Sequence, residues 1–239
     1  MRSRLLCAAK AILVTLVITA AGATALSLAS PASAAAGITY GNPAAAAKWW
    51  RYQKYDDCVL MASADVVGQM TGSEPSEDAI INLAQSTPST MHPGSIYIRP
   101  TDEKNPNSGN GTSRLDIPAL LGHYGVGAQA TDEITAETTG LATGMKALQH
   151  YLGGGRAVIV SVNAEMIWGE PIESKDDDGN PVSDHAVVVT GVDTAGSVVH
   201  LNDSGTRSGR DERIPLDLFT RAWATSHYFL VFTGGTIKP

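Results

Sequence analysis

The chain has 239 residues, 17 basic and 24 acidic, and a net charge of −7. That balance argues against nucleic acid and anionic membrane surfaces as partners, since both call for a basic face. Two cysteines, Cys7 and Cys58, are too few for a disulfide framework.

Arg2, Arg4 and Lys10 come first, followed by an apolar run from Ala11 to about Leu28. Pro31 breaks the run, and Ala32-Ser33-Ala34 has the small-x-small form of a cleavage site. Residues 1–34 are therefore expected to be a secretory signal peptide and the mature chain to be secreted. The alternative is an uncleaved anchor, but a run so rich in Ala, Thr and Gly makes a poor permanent span. No later stretch is apolar enough to cross a bilayer, so no stable membrane association is expected after cleavage. Cleavage removes Cys7 and leaves 14 basic residues against 24 acidic. The remainder suits a single domain with its own core.

Residues 35–48 are small and weakly patterned and are expected to form a flexible segment ahead of a domain over 49–239. Val59, Leu60, Ala62, Ala64, Val66, Val67 and Met70 predict an apolar helix from Cys58, closed by Thr71-Gly72. Ser76 is a candidate N-cap for a second helix. Residues 87–113, rich in Pro, Gly and Asn, predict a long loop with one strand-like piece at Ser95–Arg99. Residues 113–125 and 139–155 predict two more helices, the latter stopped by three glycines. Strands are expected in "RAVIVSV", in "DHAVVVTGV" and "SVVHLND" as a hairpin, and in "HYFLVF", with a helix in "IPLDLFTRAW". Helices first and antiparallel strands later is the α+β pattern.

The lone mature thiol is the first chemical signal. An odd cysteine in an exported chain points to a reactive thiol or an intermolecular bond, and the alternative is a small buried hydrophobe. A nucleophilic cysteine needs a base, donors for an oxyanion, and often a group that orients the base. Cys58 opens a predicted helix, where the macrodipole and free N–H groups favour an anion. Gln53 could add a side-chain donor. Among the histidines, His92 lies in the loop, His123 and His150 near helix C-termini, and His200 and His227 in strands. His185 differs because it opens an apolar strand.

Taken together, "QKYDDC" leading a helix, "DHAVVVTGVD" and "VVHLNDSG" resemble the papain-like C39 peptidase family, particularly its stand-alone C39-like branch. The resemblance implies a papain-like α+β fold and hydrolysis of peptide bonds in a peptide or protein substrate, with no metal or organic cofactor. It implies Gln53 as oxyanion residue, Cys58 as nucleophile, His185 as base and Asp203 as orienting acid. Two positions depart from the family's usual pattern: Val59 stands where Gly commonly follows the nucleophile, and Ser204 where Pro commonly follows the acid.

The third residue has two candidates. With an even turn and an unbroken ladder, Val187 faces Asn202, which puts Asn202 on the His185 face and turns Asp203 away. A one-residue bulge exchanges them. The resemblance favours Asp203, with its carboxylate expected on Nδ1 of His185. Asp56 and Asp57 disfavour a thiolate beside them, so at least one is expected to point into solvent. "DDDGN" at 176–180 lacks the spacing of a calcium loop and reads as a solvated turn. Trp49 and Trp50 are expected to pack at the domain edge, and Asn110-Gly111-Thr112 fits a glycosylation acceptor. Other readings of the chain are a cell-wall peptide amidase or isopeptidase on a similar scaffold, and an inactive peptide-binding domain.

Overall fold

The computed structural model describes residues 37–102 and 111–237. The signal-peptide reading of residues 1–34 and the acceptor Asn110 lie outside these residues.

The expected flexible segment at 35–48 instead contains a strand, β1 (Thr39–Gly41), and a short helix, α1 (Pro43–Ala46). Asn42 caps α1 by accepting a hydrogen bond from the Ala45 N–H, and Pro43 occupies its first turn. β1 pairs with the far end of a strand some 150 residues later, Tyr40 opposite Val192. Gly191 allows the approach, because a Cβ there would stand 2.6 Å from the Pro43 ring. Local patterning could not reveal a partner so distant in sequence.

The helices α2 (Cys58–Thr71) and α3 (Glu77–Ser86) follow. Gly72 ends α2 at φ 78°, the left-handed position that glycine favours. The Ser76 hydroxyl caps α3 by accepting from Ala79 N–H. Ser95–Arg99 is not a strand: it has only isolated bridges, at Ser95, which pairs with Pro88, and at Ile98, and it buries Ile96 and Tyr97. A 3-10 turn leads into α4 (Ile117–His123), followed by β2 (Ala128–Thr131), α5 (Ala136–Thr139), α6 (Gly144–Gly153), β3 (Val158–Val162) and α7 (Ala164–Trp168). The hairpin β4 (His185–Asp193) and β5 (Val198–Asn202), then β6 (Glu212–Pro215), α8 (Leu216–Ala224) and β7 (Leu230–Thr233), complete the fold. His227 was expected in the last strand but sits before it at φ 56°, in the turn that leaves α8.

The strands form one antiparallel sheet in the order β2-β7-β3-β4-β5-β6, with β1 continuing on β4 where β3 stops. β3 and β4 are apolar on both faces because helices cover both. On one face, Val59, Ala62, Val66 and Val67 of α2 meet Ile159, Ala186, Val188 and Val231. On the other, residues of α6, α7 and α8 pack on Val158, Val160, Val187 and Val189. The far side of α2 is covered in turn, Leu60 and Ala64 packing on Ile80, Ile81 and Leu120. α2 is thus buried along most of its length, with Cys58 at the end that emerges beside the mouth of β4.

The β4–β5 register carries the detail that decides the site. Asp193 faces Val198 across a four-residue connection, but the ladder shifts between Val189 and Gly191, so Thr190 is an extra residue in β4. Beyond it, Val188 faces Asn202. The bulge places Asp203 on the face of Val187 and His185 and sends Asn202 to the face of α2.

Candidate active site

Cys58 is the first residue of α2, so its own N–H has no acceptor within the helix. The thiol is 9 % exposed and lines a cavity of about 290 Å³ together with His185, Asp56, Thr112 and Arg114. A larger cavity of about 840 Å³ lies among β1, α1 and the end of α6, and neither Cys58 nor His185 lines it.

His185 Nε2 lies 2.6 Å from Asp203 Oδ1, both side chains buried. The carboxylate therefore meets Nε2, not the expected Nδ1, because His185 begins its strand and presents Nε2 across the sheet toward β5. Cys58 lies on the wall of the same cavity as the ring and acts on it electrostatically. Burial works against a charged imidazole, but Cys58 and Asp203 outweigh it and hold His185 well above the usual histidine range. Asp203 is held below the usual carboxylate range: burial opposes the charge, and His185, the Trp168 indole and the Gly205 N–H overcome it.

Asp203 is fixed from several directions. Its Oδ2 accepts from Trp168 Nε1 at 2.9 Å, and its Oδ1 accepts from Gly205 N–H at 2.7 Å. Its backbone carbonyl accepts from Trp50 Nε1 at 2.5 Å, and its N–H donates to Gly209 at 2.8 Å. Trp168 also lies edge-on against the His185 ring, 5.2 Å between centroids. Trp168 was not singled out in the sequence, since it closes a five-residue helix in a stretch without clear periodicity. Trp50 was read as edge packing and also carries this hydrogen bond. Gly205 is required here: a Cβ would stand 2.7 Å from Trp168 and 3.0 Å from His185.

Asn202 has a separate task. Its amide donates to Ala46 O at 3.0 Å and to Asp65 Oδ2 at 2.7 Å, tying β5 to α1 and α2. Gln53 does not line the cavity holding Cys58. Its Nε2 donates to Tyr55 O at 2.9 Å, its Oε1 accepts from the Ser204 hydroxyl at 2.7 Å, and its N–H donates to Ser204 O. Ser204, the departure from the family's Pro, therefore anchors Gln53 next to Asp203. One amide hydrogen of Gln53 is committed to Tyr55, leaving the second for another acceptor.

Neither aspartate before Cys58 is freely solvated, contrary to expectation. Asp57 is 1 % exposed, and its oxygens meet no hydrogen-bond partner of ordinary geometry among the described residues. Burial, with Glu77 and Asp56 adding repulsion, pushes its carboxyl up to about 8. A neutral Asp57 does not oppose a thiolate, which resolves the conflict in a different way. Asp56 is half-buried, raised by burial and by Asp184 and drawn back by His185. Glu212 of β6 is raised to about 7 by burial and by repulsion from Asp203, against the pull of His185. The turn at 176–180 is closed by Asp176 accepting from Asp178 and Asn180, as a solvated turn requires. Among the described residues, no three His, Cys, Asp or Glu side chains are grouped to hold a metal ion. Nor is any helix among them long and apolar enough to cross a membrane.

Comparison with known proteins bears on the family and the fold. Uncharacterized proteins of Mycobacterium tuberculosis and Mycobacterium bovis are 67% identical over 187 residues, covering 78% of this chain and 81% of theirs. The crystal structure of a "putative C39-like peptidase" from Bacillus anthracis superposes with a TM-score of 0.53 at 16% identity. That match covers 84% of this chain and 100% of the other and shows a shared papain-like α+β fold. The model of the Peptidase_C39 like family matches residues 42–230, and the chain belongs to that family.

Proposed function

We propose that the protein is a secreted cysteine peptidase that hydrolyses peptide bonds through Cys58, His185 and Asp203. The observation that carries this reading is the buried His185, bonded to Asp203 through Nε2 and sharing a cavity wall with Cys58, which raises its pKa. Secretion rests on the residue pattern of 1–34.

Each residue has a defined task. His185, charged beside Cys58, stabilises the thiolate, and the start of α2 adds its partial positive charge. The thiolate attacks the substrate carbonyl carbon, forming a C–S bond and an oxyanion. The Cys58 N–H donates to that oxyanion, and the Gln53 amide hydrogen not engaged by Tyr55 is the second donor. As the C–N bond breaks, protonated His185 gives its proton to the leaving amine. Neutral His185 then takes a proton from water, whose oxygen attacks the thioester, and collapse releases the acid and regenerates the ion pair. Asp203 holds the ring in orientation throughout and stabilises its charged form.

The test is incubation of the mature chain and Cys58→Ala with a diverse library of end-blocked peptides, followed by mass spectrometry. Cleavage by the wild type and none by the variant supports the reading. Equal patterns from both, or no cleavage while peptides still bind, would replace the peptidase with a binding domain.

A further inference from the structure

The wall of the cavity beside Cys58 carries four ionisable groups besides the thiol: Asp56, Asp184, His185 and Arg114. Three of them are engaged. His185 is bonded to Asp203. Asp184 caps α7, its Oδ1 accepting from Ala164 N–H at 2.9 Å and its Oδ2 from the Ser174 hydroxyl at 2.6 Å. Arg114 donates to the Ser183 hydroxyl at 2.9 Å and lies 4.8 Å over the Phe229 ring. Asp56 is the exception. It accepts no hydrogen bond and joins no ion pair among the described residues, although it is half-buried.

A second group on the same wall is also unsatisfied. The Thr112 hydroxyl oxygen is buried and has no hydrogen-bond partner among the described residues. Gly111 borders Asp56 on that wall: a Cβ added there would be in ordinary contact with Asp56 Oδ2, at 3.5 Å. A half-buried carboxylate without a partner costs free energy that an arriving cation recovers, and an ammonium brings three donors for such acceptors. Asp56 also stands two residues before the nucleophile, on the segment that delivers Cys58 into α2, so a cation held there is held close to the reacting sulfur.

We propose that Asp56, with the Thr112 hydroxyl, selects substrates carrying a positive charge next to the scissile bond. The charge is a primary amine, from a lysine-type side chain or a free amino terminus. This rests on the peptidase reading of Cys58. The groups bind and orient the substrate and take no part in bond making.

Two measurements test it and separate its failure from that of the peptidase reading. The first needs no substrate. Cys58 in the mature chain is modified with methanethiosulfonates that are cationic, neutral or anionic, in wild type and Asp56→Asn. The cationic reagent should react faster than the anionic one, and Asp56→Asn should shrink that ratio by about tenfold, the scale of one charge near a buried sulfur. A ratio unchanged by the substitution overturns the proposal whether or not any peptide is cut. The second compares kcat/KM for end-blocked peptides with lysine or norleucine at each position flanking the cleaved bond, and for norleucine peptides with a free amino terminus. Wild type should prefer one amine-bearing series by about tenfold, and Asp56→Asn should bring the ratio near unity. The series preferred identifies the source of the amine. No preference in wild type, or one that survives Asp56→Asn, overturns the proposal, whereas no cleavage of any peptide overturns the peptidase reading instead.

Discussion

Asp203 accepts from His185, Trp168 and Gly205 through its side chain and has no exposed surface. Such a carboxylate keeps its charge in a buried setting only because the donors replace water. Asp203→Asn preserves shape but removes the charge that supports an imidazolium, and is expected to lower kcat by about 10²- to 10⁴-fold. Trp168→Phe keeps an aromatic ring against His185 and removes one donor. Losing a hydrogen bond to a charged group costs about 1.5–3 kcal/mol, so a smaller drop in turnover is expected, with Asp203 rising toward the ordinary carboxylate range. Turnover profiles against pH measure both. A Trp168→Phe enzyme with unaltered rate and acid limb would remove that indole from the account. Cys58 and His185 were legible because their residue types are few and their positions, a helix start and a strand mouth, restrict what they can do. The nitrogen of His185 that meets the acid was not legible, since it depends on ring orientation, and no sequence pattern encodes that.

At the scale of elements, the single extra residue Thr190 in β4 decides which of two adjacent side chains reaches His185. Alternation along a strand is strict, so one inserted residue exchanges the faces of everything beyond it. The unbroken ladder selected Asn202 and the family resemblance Asp203; the bulge reconciles an even connection with the second choice. Gly191 inside the strand was the one local signal of a bulge, but the register shift itself depends on Pro43 and β1 packing on Gly191, which no local pattern reveals. The two residues should therefore fail differently when changed. Asn202→Ala removes the donor to Asp65 Oδ2 and to the Ala46 carbonyl, leaving Asp65 only Gln69 on Oδ1, and is expected to cost about 1–3 kcal/mol of stability with turnover per folded molecule retained. Denaturant unfolding alongside active-site titration distinguishes this from Asp203→Asn, in which turnover falls. A loss of turnover in Asn202→Ala with stability unchanged would contradict the register. Gly205→Ala, whose Cβ would crowd both Trp168 and His185, should lose turnover and about 1–3 kcal/mol together. The helices α2 and α3 were legible from apolar spacing and caps, whereas β1, α5 and α7 are short elements held by tertiary contacts.

The whole molecule carries an unusual load of buried acids. Burial is the leading cause that raises Asp57 to about 8 and Asp65, Glu74 and Glu212 to about 7. Each binds its proton more tightly folded than unfolded, so each weakens the fold as pH rises from the ordinary carboxylate range to its raised value. His185, also raised, contributes stability that is complete below about 6.5 and lost as pH rises through its folded value. Asp203 has the opposite sign: its contribution is present above the ordinary carboxylate value and lost as pH falls through its depressed one. The melting temperature is therefore expected to fall steadily from about pH 6 to pH 8, with the optimum on the acid side of neutrality. A melting temperature that rises over that interval would show that the buried acids are ionised at no cost. Beneath the charge balance lies the central claim that α2, the mouth of β4 and the end of β5 together make Cys58 a nucleophile. The most direct measurement is the rate of Cys58 alkylation by iodoacetamide at pH 6 in wild type and in His185→Ala, both confirmed folded. The imidazolium should keep the wild-type thiol reactive in acid, at least about tenfold faster than in the variant. Equal rates in the two proteins at pH 6 would contradict the account.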